Sequence, residues 1–314
     1  MAAIAAAAVF GVAAVAIVVS RSGRIQRILL SATAASSSSL SARVRPEFVL
    51  FGDSITQQSF GPGSGWGAAV ADVYQRTADV KLRGYSGYNT RWALQLLPEL
   101  FPARHVGGTT PSLVTIFFGA NDANLPGPLR NQPASASRQH VPLNEYVENL
   151  RKIIMAIRAT GKGSKDGMPR VLLITPPPCD GDGWHAHCIK TYAPDYEPDC
   201  EPNRNFETTA AYAAACVQLG AETGTPVLDL HTAMSSRADW KSLLSDGLHP
   251  NAEGGKVIGT AVLGAIASHF PELKPASFFD PDPAKLPLDF PDHKSIDIGD
   301  LEGSFAAHEE RKRK

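Results

Sequence analysis

FVLFGDSIT, residues 48–56, is an unbroken apolar run that passes through Gly52 directly into a polar turn. Four consecutive large apolar residues cannot alternate between a wet face and a dry one, so the run reads as a strand buried on both sides. The same form recurs at 80–84 (VKLRG), 113–118 (LVTIFF), 171–175 (VLLIT) and 227–230 (VLDL). Between these runs lie stretches with an apolar stripe at helical spacing: Trp66 to Thr77, Thr90 to Leu100, Pro142 to Ala159, Phe206 to Thr223 and Ala252 to Phe270. Pro142 falls where the first turn of a helix tolerates proline. Strand and helix alternating five times predict an α/β chain, with one doubly wound parallel sheet in a three-layer α/β/α domain over residues 47–275.

The composition agrees. The chain has 314 residues, 43% hydrophobic and 19% charged, and its 27 Gly and 24 Pro are scattered, which excludes collagen-like and largely disordered readings. Thirty basic residues against 31 acidic ones give a net charge of −1, so no global positive field draws the chain onto nucleic acid. Four cysteines in so long a chain do not make a disulfide scaffold.

Both ends differ from the middle. Residues 1–20 (MAAIAAAAVFGVAAVAIVVS) carry no charge, Arg21, Arg24 and Arg27 follow, and the first acidic residue is Glu47. Residues 1–46 therefore read as a targeting or membrane-anchor segment, with three destinations open. An anchor, and so membrane association through residues 1–20, fits the apolar length; an organelle transit peptide fits the acid-free Arg/Ser stretch 21–46; cleaved secretion is less well served, because the basic residues lie on the wrong flank. At the other end, repeated Pro and Asp in 276–314 predict an extended tail, with Arg311 to Lys314 a solvated charge run. Residues 176–205, rich in Pro, Asp and Gly, read as an elaborated loop.

In such sheets ligands bind beyond the carboxyl ends of the strands. There the sequence places Gly52-Asp53-Ser54, Gly84-Tyr85-Ser86-Gly87-Tyr88-Asn89 and Gly119-Ala120-Asn121-Asp122; Asp246-Gly247-Leu248-His249 follows the last strand and a helical stretch. A serine hydroxyl needs a base to become a nucleophile, and histidine titrates where that base must work. Ser54 is thus the candidate nucleophile, His249 its base, and Asp246 the carboxylate that orients the imidazole. A developing oxyanion needs donors already in place: the Asn121 side chain and the backbone N–H groups of Ser54 and Gly87 are the candidates.

These blocks resemble the GDSL, or SGNH, superfamily of esterases and lipases. FVLFGDSIT, RGYSGYNTRWAL, IFFGANDA, RQHVP and LSDGLHPN look like its isoamyl acetate-hydrolysing esterase branch, plant members included, over about residues 46–275. The resemblance implies the flavodoxin-like SGNH hydrolase fold. It also implies Ser54 as nucleophile, Gly87 and Asn121 as oxyanion donors, and His249 with Asp246 as base and orienter, without metal or cofactor. The implied activity is hydrolysis of small-molecule, short-chain carboxylic esters of acetyl type through an acyl-enzyme. Acetyl removal from glycans and lysophospholipid hydrolysis remain open on the same site. A non-catalytic binding protein on a hydrolase fold is the rival from another class, and the presence of every catalytic residue argues against it.

Other features have plainer readings. Asp53 and Asp122 adjoin stronger candidates and read as loop hydrogen-bonding residues. GPGSGWG (61–67) lacks the pattern of a phosphate loop, and no G-x-S-x-G elbow occurs. Tyr88 is the aromatic chosen to line the substrate pocket. Cys179, His185, His187, Cys188 and Cys200 share one segment, but their spacing matches no standard zinc framework. Free thiols are the main reading there, with a disulfide among Cys179, Cys188 and Cys200 open in an oxidising compartment.

Overall fold

In the computed structural model of the chain, β1 (Glu47–Gly52) lies between β2 (Asp79–Gly84) and β3 (Leu113–Phe117), with β4 (Arg170–Ile174) and β5 (Val227–Leu228) beyond β3. All four pairings are parallel, Gly52 standing opposite Gly84 on one side and Phe117 on the other. The structure describes residues 17–19, 25–27, 45–61, 65–102, 110–127, 129–130, 137–161, 167–196, 198–276 and 285–313. Arg45–Lys314 forms one compact unit.

Alternate residues of a strand face opposite sides, and in β1, β3 and β4 both sides are dry, while the edge strand β2 is partly exposed. Phe48 and Leu50 of β1, Leu113 and Phe117 of β3, and Leu172 and Ile174 of β4 belong to one core layer. α2 (Trp66–Val73) and α8 (Ala252–His269) cover it with Trp66, Val70, Ile258, Val262 and Ile266. Val49, Phe51, Val114, Ile116, Val171 and Leu173 face the other layer. There α3 (Thr90–Leu100), α4 (Leu143–Ala159) and α6 (Phe206–Thr223) contribute Ala93, Leu150, Ile153, Ile157, Tyr212 and Leu219. The near-continuous apolar runs of the sequence are thus the signature of three layers.

The strand order 2-1-3-4-5 is the flavodoxin-like doubly wound order, and the direction in which strands are added to the sheet reverses between β1 and β3. The connections that leave the carboxyl ends of these two paired strands therefore run to opposite faces of the sheet and leave a crevice, and the turns that follow the strands form its rim.

The structure differs from the sequence reading in three segments. Within 176–205, Gly181–Thr191 is a helix, α5, rather than loop. Its stripe is weak, but Trp184 and Cys188 are buried and the Trp184 indole donates to Asn203 Oδ1 at 2.9 Å, so tertiary contacts outweigh poor propensity. After β5 the chain turns at Asp229 into a short helix, α7 (Leu230–Ser235), where VLDL had suggested a longer strand. The tail is not extended throughout: a bridge joins Pro275 to Leu286, Arg45 and Arg76 both hold Asp289, and Leu301–Arg313 forms α9. Proline is absent from 301–313, and Asp300 accepts from the Gly303 amide at 2.9 Å at the start of that helix.

Of the segment before residue 45, two three-residue strands, Ile17–Val19 and Ile25–Arg27, pair antiparallel. The rest of the expected targeting segment lies outside the described residues. Among the described residues no helix is long and apolar enough to cross a membrane.

Candidate active site

β1 delivers Ser54 to the crevice. Gly52 closes the strand, Asp53 caps a one-turn helix, α1 (Ser54–Gln57), by accepting from the Ile55 amide at 2.9 Å, and Ser54 is that helix's first residue. The serine is largely buried, with Oγ 2.9 Å from His249 Nε2.

His249 arrives from far along the chain on a tight turn that an antiparallel bridge between Leu244 and Pro250 closes. Its Nδ1 lies 2.7 Å from Asp246 Oδ2, while Asp246 Oδ1 accepts the Leu248 and His249 amides at 2.9 and 2.7 Å. One carboxylate thus holds both the ring and the backbone that carries it. Burial would raise the Asp246 pKa, but the His249 hydrogen bond and charge and the two amides outweigh it, and the group falls to about 2. Asp246 is therefore ionised wherever a histidine titrates, which fixes a proton on Nδ1 and leaves Nε2 to face the serine. Gly247 makes the turn possible: its φ is +87°, its carbonyl accepts from the Asp180 amide at 2.8 Å, and a Cβ there would lie 2.2 Å from the Trp184 nitrogen. The Trp184 ring meets the His249 ring edge-on at 6.1 Å.

The turns after β2 and β3 adjoin the end of β1, where the Tyr85 amide donates to the Gly52 carbonyl at 2.9 Å and the Asp53 amide to the Phe117 carbonyl at 3.4 Å. Asn121 is buried and donates through Nδ2 to the Tyr88 carbonyl at 2.9 Å, next to Gly87. Gly87 has a φ of +78°, open to glycine without strain. Tyr88 packs its ring against Tyr85 and Trp92, with centroids at 5.4 and 5.8 Å, on the side of the second core layer. Its carbonyl, rather than its ring, is what meets Asn121.

Asp122 bonds the Thr90 amide at 3.0 Å and the Thr90 hydroxyl, tying the β3 turn to the start of α3. Burial pushes Asp53 up to about 6 and Asp122 up to about 7, against the hydrogen bonds that favour their charged forms. The four cysteines are buried and none is in a disulfide, and burial pushes Cys179, Cys188 and Cys216 up to about 12. Among the described residues no group of three or more His, Cys, Asp or Glu is placed to hold a metal ion.

Sequence reasoning missed Arg204, Gln139 and Trp184. Arg204 Nη2 donates to Asn121 Oδ1 at 3.0 Å and to Gln139 Oε1 at 2.9 Å, and Gln139 Nε2 donates to the Gly87 carbonyl at 2.9 Å. Gln139 lies within RQHVP, one of the family-like stretches, where no local feature marks its role; a lone arginine such as Arg204 carries no signal of its own.

The chain has counterparts among known proteins. Residues 50–257 match the model of the GDSL-like Lipase/Acylhydrolase family. A GDSL esterase/lipase of Arabidopsis thaliana is 44% identical over 256 residues, covering 81% of this chain and 95% of the relative. A human protein named isoamyl acetate-hydrolyzing esterase 1 homolog is 41% identical, over 69% of this chain and 80% of its own. The crystal structure of the lipase/acylhydrolase from Enterococcus faecalis superposes with a TM-score of 0.50 at 25% identity, over 71% of this chain and 96% of that one. The chain belongs to the GDSL-like lipase/acylhydrolase family, and it is an ester hydrolase.

Proposed function

We propose that this family member is a serine esterase that cleaves short-chain, acetyl-type carboxylic esters of small molecules through an acyl-enzyme. The observation that carries the reading is the run of hydrogen bonds from Ser54 Oγ through His249 to Asp246, at 2.9 and 2.7 Å. Ser54 Oγ attacks the ester carbonyl carbon as His249 Nε2 takes its proton, and Asp246 stabilises the imidazolium that forms. The carbonyl oxygen becomes an anion facing Asn121 Nδ2 and the Ser54 and Gly87 amides. The C–O bond to the alcohol then breaks and His249 protonates the leaving alcohol. Water, deprotonated by His249, attacks the acyl-serine; the carboxylic acid leaves and Ser54 regains its proton. No metal or cofactor enters these steps.

The acetyl preference is supported by the names of the mammalian relatives, and Tyr88, beside the Asn121 turn, is the residue we assign to the substrate pocket. A panel of p-nitrophenyl acetate, butyrate and octanoate, isoamyl acetate, acetylated xylan and lysophosphatidylcholine tests the assignment. Highest kcat/KM on the small acetyl esters is expected. A preference for the glycan or the lysolipid would move the substrate class, and wild-type turnover by Ser54→Ala would remove the mechanism.

A further inference from the structure

Arg204 is buried at 3% exposure, beyond any role the chemistry above gives it. Burying a guanidinium is costly, and the ordinary compensation is a carboxylate. Among the described residues Arg204 forms no ion pair. Its two Nη atoms are spent instead on neutral acceptors: the Ala120 carbonyl, Asn121 Oδ1 at 3.0 Å and Gln139 Oε1 at 2.9 Å. Its Nε has no hydrogen-bond partner among the described residues, and its Cζ lies 5.4 Å from the centre of the Trp184 ring.

We infer that Arg204 is a positioning residue that sets both halves of the oxyanion hole through Asn121 and Gln139. The inference rests on the proposed reading of Asn121 and Gly87 as oxyanion donors. A guanidinium can only donate, so whichever end of an amide touches it must be oxygen. At Asn121 this forces Nδ2 away from Arg204, where one hydrogen goes to Tyr88 O at 2.9 Å and the second is left for the substrate. At Gln139 the same rule turns Nε2 onto the Gly87 carbonyl at 2.9 Å, which pins the residue whose own N–H is the other donor, from its carbonyl side. Gln139 also accepts from Asn89 Nδ2 through its backbone carbonyl at 2.9 Å, so the turn after β2 is held at two points. A cation on Asn121 Oδ1 also polarises the amide and strengthens Nδ2 as a donor, in a site where preplaced dipoles act on charge that exists only in the transition state.

The test uses the full chain with p-nitrophenyl acetate and compares Arg204→Met, Asn121→Ala, their double variant and Gln139→Met, with circular dichroism on each. Arg204→Met is expected to lower kcat about 10–100-fold with KM within about twofold, because the loss is felt in the transition state. In the Asn121→Ala background the same change should cost several-fold less than in the wild type, since only the half held through Gln139 and Gly87 is left to lose. A merely structural arginine would give equal losses in both backgrounds, or a KM effect, and either result overturns the inference. Gln139→Met, at a half-buried position, should also lower kcat selectively, and it decides the matter if Arg204→Met does not fold. Unchanged kcat in a folded Gln139→Met or Arg204→Met overturns the inference while Asn121→Ala remains impaired. Full activity in Asn121→Ala removes the reading of the hole itself, and the inference with it.

Discussion

Ser54 lies 195 residues from His249, which shares a turn with Asp246, and the three meet through two short hydrogen bonds, so they should behave as one working unit. Ser54→Ala and His249→Ala are each expected to abolish nearly all esterase activity, and the double variant to be little worse than either alone, as measured by kcat with circular dichroism unchanged. Asp122 offers a second test at this scale. Burial lifts its pKa to about 7, so between about pH 4 and 7 the folded protein holds a proton that the unfolded chain has released. Its contribution to stability therefore falls as pH rises through that window, and Asp122→Asn should flatten the corresponding slope of Tm against pH. Asp246 has the opposite sign: held down to about 2, it stabilises the fold above the ordinary aspartate range and loses that contribution as pH falls toward 2. The residues that could be read from sequence are those whose chemistry is strong alone and whose place follows a strand end. Arg204 and Gln139 act by touching residues 50 to 84 positions away in sequence, and nothing local records that.

Among the elements, the buried strands and the long helices α3, α4, α6 and α8 were legible because their apolar pattern is set by burial on a known face. α5 and α9 were not. The α5 segment is full of Gly, His and Asp and is held by Trp184, Cys188 and the bond from the Trp184 indole to Asn203, none of which a helical period reveals. This short helix nevertheless bears on the site, because Asp180 and Trp184 brace the turn that carries Asp246 and His249. Gly247→Ala should therefore damage both folding and activity. With φ at +87° and a new Cβ 2.2 Å from the Trp184 nitrogen, a loss of at least about 1–3 kcal/mol is expected in urea unfolding, together with reduced kcat from a displaced His249. Unchanged midpoint and kcat would show that this contact does not position the histidine.

At the scale of the molecule, the order 2-1-3-4-5 explains why one crevice holds residues from sequence positions near 54, 87, 121 and 249. That order could be expected from the alternation of strand and helix and from the family resemblance; the docking of the tail through Asp289 could not, since it depends on Arg45 and Arg76. The charge-free run 1–20 is proposed to place the enzyme in the cell and to take no part in the chemistry. A fluorescent fusion of residues 1–46 should leave the cytosol for a membrane or organelle, and the same fusion without 1–20 should stay diffuse; a diffuse signal from both would remove the targeting role. The central claim, that the hydroxyl of Ser54 is activated for covalent attack on an acyl centre, is tested most directly by labelling the full chain with diethyl p-nitrophenyl phosphate and mapping the adduct by mass spectrometry. The expected result is one diethylphosphoryl group per chain, on the peptide carrying Ser54, with activity lost in proportion to labelling and no labelling in His249→Ala. A stoichiometric adduct on another residue, or full activity in fully labelled enzyme, would contradict it.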